Sequence, residues 1–124
     1  MAFEERLENI TLEAAVDLSA KQYFFVAQDA NGRAVLAGNG ANAEGVLQNA
    51  PDLLGKAASV AVSGTSKVVA GAAIALNAKV ASDAAGKAKT AASGNRVLGV
   101  AREAALADGD IISVLLKLEG EPNA

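Results

Sequence analysis

The sequence predicts an all-β fold: a small barrel or sandwich of the β-tulip or β-clip kind, with an internal pseudo-twofold duplication. Two observations carry this. Short β-prone stretches alternate with turn signals about every 8–12 residues, the rhythm of antiparallel barrels and sandwiches. Residues 26–62 and 80–116 also align without a gap at an offset of 54 positions. Asp29-Ala30-Asn31-Gly32-Arg33-Ala34 matches Asp83-Ala84-Ala85-Gly86-Lys87-Ala88, Gly45-Val46 matches Gly99-Val100, Gly55 matches Gly109, and Ser59-Val60 matches Ser113-Val114. Alanine matches carry little weight in so alanine-rich a chain. The glycine, aspartate and Ser-Val matches fall at turns and strand cores.

Residues 1–16 read as an N-terminal arm, 17–118 as a single β domain, and 119–124 as a polar tail. In the first segment Phe3, Leu7, Ile10 and Ala14 have helical spacing, while Ile10, Leu12 and Ala14 alternate as in a strand; periodicity leaves the two open. Residues 1–21 stand outside the duplication. Tyr23-Phe24-Phe25-Val26 is the aromatic cluster and has strand propensity. Asn31-Gly32 is a hairpin signal, because both residues tolerate positive φ. Ala34-Val35-Leu36 is the return strand, Gly38 to Asn42 a loop, and Glu44 to Asn49 a strand stopped by Pro51. Ala57 to Val62 is the next strand, with Ser63-Gly64-Thr65-Ser66 turning it into Lys67-Val68-Val69. Ala70 to Ala78 links the copies. Lys79-Val80-Ala81, the Asp83–Gly86 turn, Lys87 to Thr90 and Val97 to Ala101 repeat the order. Arg102 to Leu106 is given at most one helical turn, and Ile111 to Leu118, the most apolar strand, a central place.

Composition narrows the function classes. The chain has 124 residues, no cysteine and no histidine. Disulfides and thiolate metal sites are therefore excluded, along with the commonest general base and metal ligand. Aromatics make up 3%, so the core is built from small side chains that bury little area each, and association with other chains is expected to add stability. A net charge of −3 argues against nucleic-acid binding. The charge is uneven: residues 1–19 carry five acids and one base, whereas 55–102 carry seven bases and only Asp83 as an acid. A solvated mixed surface accounts for this, and so does head-to-tail contact between subunits. No apolar run reaches the ~18 residues of a membrane span, and the N-terminus lacks the pattern of a secretory signal. A soluble protein made in the cytoplasm is expected.

No catalytic constellation emerges. Asp29 and Asp83 could form a symmetric acid pair, but each opens a hairpin turn, where Asp is favoured for its bonds to backbone amides. Asp108 and Asp110 flank Gly109 without the further oxygen ligands of a calcium loop. Ser63, Ser66 and Ser113 have no histidine partner, and Ser63 with Lys67 is the remaining Ser–Lys pairing. The Gly-rich 38–42 loop lacks a phosphate-binding pattern. The aromatics at 23–25 read as a core anchor rather than a base-stacking platform. The chain reads as a non-enzyme with no cofactor and no metal.

The stretches 17–38 (DLSAKQYFFVAQDANGRAVLAG), 44–51 (EGVLQNAP), 59–74 (SVAVSGTSKVVAGAAI), 80–88 (VASDAAGKA) and 97–116 (VLGVAREAALADGDIISVLL) together resemble the tailed-phage capsid cement (head decoration) proteins of the DUF2190 type. Their order and spacing carry the likeness. The resemblance implies a virion protein on the outer surface of an assembled HK97-type head. Its partners would be the major capsid protein and itself, as a homotrimer, and it would stabilise capsomer joints. From decoration proteins generally, Phe3, Leu7, Ile10 and Leu12 would be the capsid or protomer contacts of the arm. A non-enzymatic β-domain acting as a binding or carrier module in another assembly is the alternative.

Overall fold

A computed structural model describes residues 5–118; Phe3 and the polar tail lie outside them. Among the described residues there is no helix. The strands are β1 (Glu5–Glu13), β2 (Phe25–Gln28), β3 (Ala34–Leu36), β4 (Gly45–Leu47), β5 (Ala57–Val69), β6 (Lys79–Ser82), β7 (Ala88–Thr90), β8 (Gly99–Ala101) and β9 (Ile111–Leu116). They form one antiparallel sheet in the order β3-β2-β4-β5-β9-β8-β6-β7, with β1 also on β5. The sheet curls strongly into a half-barrel. Ile111 to Leu116 is indeed central, beside β5.

The duplication is written into the strand register. In the β2–β3 hairpin Val26 pairs with Leu36 and Gln28 with Ala34; in the β6–β7 hairpin Val80 pairs with Thr90 and Ser82 with Ala88. Val46 opposite Ala61 becomes Val100 opposite Leu115. Tyr23 and Asn77, equivalent by the repeat, are the two non-glycine residues with positive φ among the described residues, at 70° and 68°. The strand expected from Tyr23 therefore begins at Phe25.

Two expectations are corrected. Residues 63–66 are not a turn: β5 runs unbroken through them. Gly64 sits within the strand at a φ of 96°, and β1 opposite it shows register shifts between Glu5 and Asn9. The glycine kinks a long strand rather than reversing it. Residues 5–16 do not stand outside the repeat either. Thr11 pairs with Ser59 and Leu12 with Ala58, as Lys67 pairs with Ser113 and Val68 with Ile112. Ala14 bridges Ala34 as Ala70 bridges Ala88. Strand β1 is thus the counterpart of the second half of β5. Each repeat unit has five strands, and β5 is the last strand of one unit and the first of the next. The segment 102–106 forms no helical turn; Ala105 bridges Ile74.

Strand alternation sends neighbouring side chains to opposite faces. Phe25 and Val46 enter the larger core cluster, whereas Val26 and Leu47 enter the smaller one with Ala14, Leu18, Ala34, Ala58 and Val60. Every member of that smaller cluster has a counterpart in the larger: Ala70, Ile74, Val80, Ala88, Ala101, Ile112 and Val114. The two units are built around the same seven-residue core.

Gly45 and Gly99 mark where β4 and β8 cross their neighbours most closely. A Cβ on Gly45 would lie 2.0 Å from the Ala61 carbonyl oxygen, and one on Gly99 2.5 Å from that of Leu115. Gly109, by contrast, has open space around it and a φ of 94°. We expect Gly45→Ala to cost roughly 2–4 kcal/mol through overpacking against backbone. Gly109→Ala should cost only about 1 kcal/mol, from left-handed strain. Urea unfolding midpoints of the two variants check this; equal losses would contradict the close-crossing account.

Candidate interaction surface

The polar side chains singled out in the sequence are tied into local structure. The Asp29 carboxylate accepts from the amides of Asn31 and Arg33, both at 2.9 Å. Asp83 accepts from Ala85 at 2.8 Å and Lys87 at 2.9 Å. Both are turn caps. Asp110 accepts from the amides of Leu106 and Ala107, and Asp108 pairs with the Lys87 ammonium at 3.0 Å. The buried Ser66 hydroxyl accepts from the Gln48 side chain and donates to the Lys67 carbonyl. The Ser113 hydroxyl donates to Glu103. Ser63 and Lys67 lie four residues apart on one strand, a separation of about 13 Å at ~3.3 Å per residue. That is too far for a Ser–Lys dyad. The Lys67 ammonium lies 5.7 Å above the Tyr23 ring instead.

The aromatic cluster lies in the core: Phe24 is buried beside Phe25, and Tyr23 is half-buried against the larger cluster. Phe25 is fully buried. The Phe24 ring carries the ammonium groups of Lys21 at 5.2 Å and Lys87 at 5.9 Å from its centre, a cation–π arrangement. These contacts tie the loop before β2 to the β6–β7 turn.

Of the four proposed contact residues, Phe3 lies outside the described residues. Leu7 is half-buried against the larger cluster and Leu12 against the smaller. Ile10 is 37% exposed, so it is the one of these three that presents much apolar surface to solvent.

Sequence reasoning passed over a more exposed set. Leu53 and Leu54 are each 60% exposed and Leu106 is 85% exposed. They occupy the loops before β5 and β9, which the duplication makes equivalent. Both loops are held by hydrogen bonds. The Gly55 amide donates to the Ala14 carbonyl and the Gly109 amide to that of Ala70. Lys56 pairs with Asp52 at 2.6 Å across the first loop, and this bond and charge hold the Asp52 carboxyl below its ordinary range. Exposed leucines are ordinary on protein surfaces when single; these lie on two loops at opposite ends of β5, one leading into Ala57 and the other into Ile111, which pairs with Val69. A Leu-Leu pair directly after Pro-Asp in a turn was the available signal.

A family model described as phage cement protein matches residues 9–118, which takes in all but the first residues of β1. The crystal structure of the N-terminal base of the head fiber gp8.5 of bacteriophage phi29 superposes with a TM-score of 0.72. The likeness covers 94% of this chain and 99% of that one at 18% identity, and at that identity it is a likeness of fold. No curated protein matches the chain.

Because β1 closes one side of β5 and Leu12 packs in the smaller cluster, deleting residues 2–12 should do more than remove an arm. We expect the truncated chain to lose several kcal/mol of stability through lost burial and an opened strand edge, read as a lower urea midpoint. Unchanged stability would contradict the placement of β1. Asp29→Ala and Asp83→Ala should each cost about 1–2 kcal/mol from the lost amide bonds, measured the same way.

Proposed function

The chain belongs to the phage cement protein family, and on that premise we propose that it decorates the outer surface of an assembled HK97-type head, where it reinforces the joints between capsomers. The observation that carries this reading is the extent of the family match, 9–118, which spans both repeat units rather than one motif. The family is one of structural phage proteins, and the reading includes no reaction: the protein acts by binding the major capsid protein and copies of itself, as a homotrimer.

The mechanism is mechanical. Each contact is small, but many copies on a lattice act together, so weak individual binding resists distortion of the whole shell. The exposed leucines at 53 and 54 and, at the other end of β5, Leu106 supply two separate apolar contacts, each on a loop held by hydrogen bonds, so little conformational freedom is lost on binding. Ile10, on β1 opposite Val60, adds a further exposed apolar side chain.

The protein mixed with expanded empty heads and imaged by electron cryomicroscopy should appear as density outside the shell at the junctions between capsomers. Bare shells at saturating protein would contradict the proposal. The double variant Leu53→Ser/Leu54→Ser and the variant Leu106→Ser should unfold within about 0.5 kcal/mol of the parent. Their binding to heads in a sedimentation assay should fall by roughly tenfold or more, the effect of losing a buried apolar anchor. Parent-like binding would remove the leucines from the contact.

A further inference from the structure

The two units are joined by a contact that runs in one direction only. The Phe25 amide donates to the Gly86 carbonyl at 2.7 Å, the Val69 amide to the Tyr23 carbonyl at 3.0 Å, and the Gly40 amide to the Ser82 carbonyl at 2.8 Å. Phe25, Val46 and Ala61 of the first unit are thereby buried in the same cluster as Val68, Val114 and Leu116 of the second. A pair closed on itself would make this contact twice, with the Gly32 turn meeting Lys79 in return. It does not: among the described residues nothing comes within 4 Å of a Cβ placed on Gly32.

Both halves of the contact are therefore present a second time and unused. Carried forward by the repeat, Phe25, Val46 and Ala61 become Lys79, Val100 and Leu115. In the chain Lys79 is exposed and the other two are half-buried. Carried back, the Gly86 turn becomes the Gly32 turn, and Val68 and Leu116 become Leu12 and Val62, both half-buried. Charge adds little to the joining: Lys79 stands on the forward face, while on the other Glu13 is already paired with Arg33 at 3.5 Å and Asp29 caps its own turn.

We propose that a second copy of this chain supplies the missing partner: the face formed by Lys79, Val100 and Leu115 receives the face formed by Leu12, Gly32 and Val62 of the next copy, head to tail. The contact between chains repeats the part of the contact within the chain that does not run through the shared strand β5. Such heterologous contacts build rings where the rotation closes. This rests on the self-association in the proposed function and deepens it by naming the two faces that meet; it needs no head to occur.

The intrachain contact supplies the test positions. A Cβ on Gly86 would lie 3.5 Å from that of Leu36, within the range a disulfide spans. The matching pair between copies is Gly32 with Thr90, and the chain has no cysteine of its own. The double variant Gly32→Cys/Thr90→Cys, oxidised without heads present, should run as covalent dimers and larger species on a non-reducing gel. An equal mixture of the two single variants should stop at dimers, and neither single variant alone should reach that yield. A second pair guards against distortion at Gly32. The Lys89 ammonium donates to the Asn39 side chain at 2.7 Å, so Val35→Cys with Ser93→Cys, bridged by a short bis-maleimide, should also join copies. Circular dichroism confirms that each variant is folded. Monomer alone from both folded pairs would overturn the proposal, as would equal dimer from the single variants, which would mean a symmetric contact. Because heads are absent, failure of the protein to coat them would leave this result untouched.

Discussion

Everything in this protein hangs on β5. Its first half closes the unit that begins with β1, and its second half opens the unit that ends with β9. One strand thus supplies the backbone hydrogen bonds of both units, to β1 and β4 on one stretch and to β9 on the other. Gly64 makes the sharing possible. At a φ of 96° it bends the strand between its two roles, a conformation that costs an L side chain about 1–2 kcal/mol.

The duplicated turns were legible because their chemistry is local. Asp-x-x-Gly fixes a hairpin through its own carboxylate and glycine, so both copies could be seen without any knowledge of the fold. The place of β1 was not legible. It aligns with the second half of β5 at an offset of 56 rather than 54, because the loop from Ala14 to Tyr23 is two residues longer than that from Ala70 to Asn77. Its residues also differ in kind, with Ile10 and Thr11 standing where Ser66 and Lys67 stand in β5. The Ser63–Ser66 stretch misled for the opposite reason: a glycine that serves a kink carries the same sequence signature as one that serves a turn. Surface placement was the hardest to read. Leu7 and Leu12 resembled free docking residues until the sheet turned them inward, and Leu53, Leu54 and Leu106 gave no periodic signal because they sit in loops.

The small-residue core also has an explanation in the repeat. Seven positions recur in both units and alanine fills several of them, while the crossings at Gly45 and Gly99 leave no room for a side chain at all. A fold of this kind gains little from any single side chain. Its rigidity comes from ladder bonds and from the joining of one unit to the next. That suits a member of a family of structural phage proteins. The same economy leaves apolar loops and unit faces uncovered, and the proposed contacts with the head and with other copies lie there.

The claim that one shared strand binds two copies of a unit into a single body is open to direct measurement by native-state hydrogen exchange across β5. The account predicts that amides in 57–62 and in 65–69 exchange with one common free energy, equal to that of global unfolding. Separate values for the two halves, with one unit opening while the other stays closed, would contradict it.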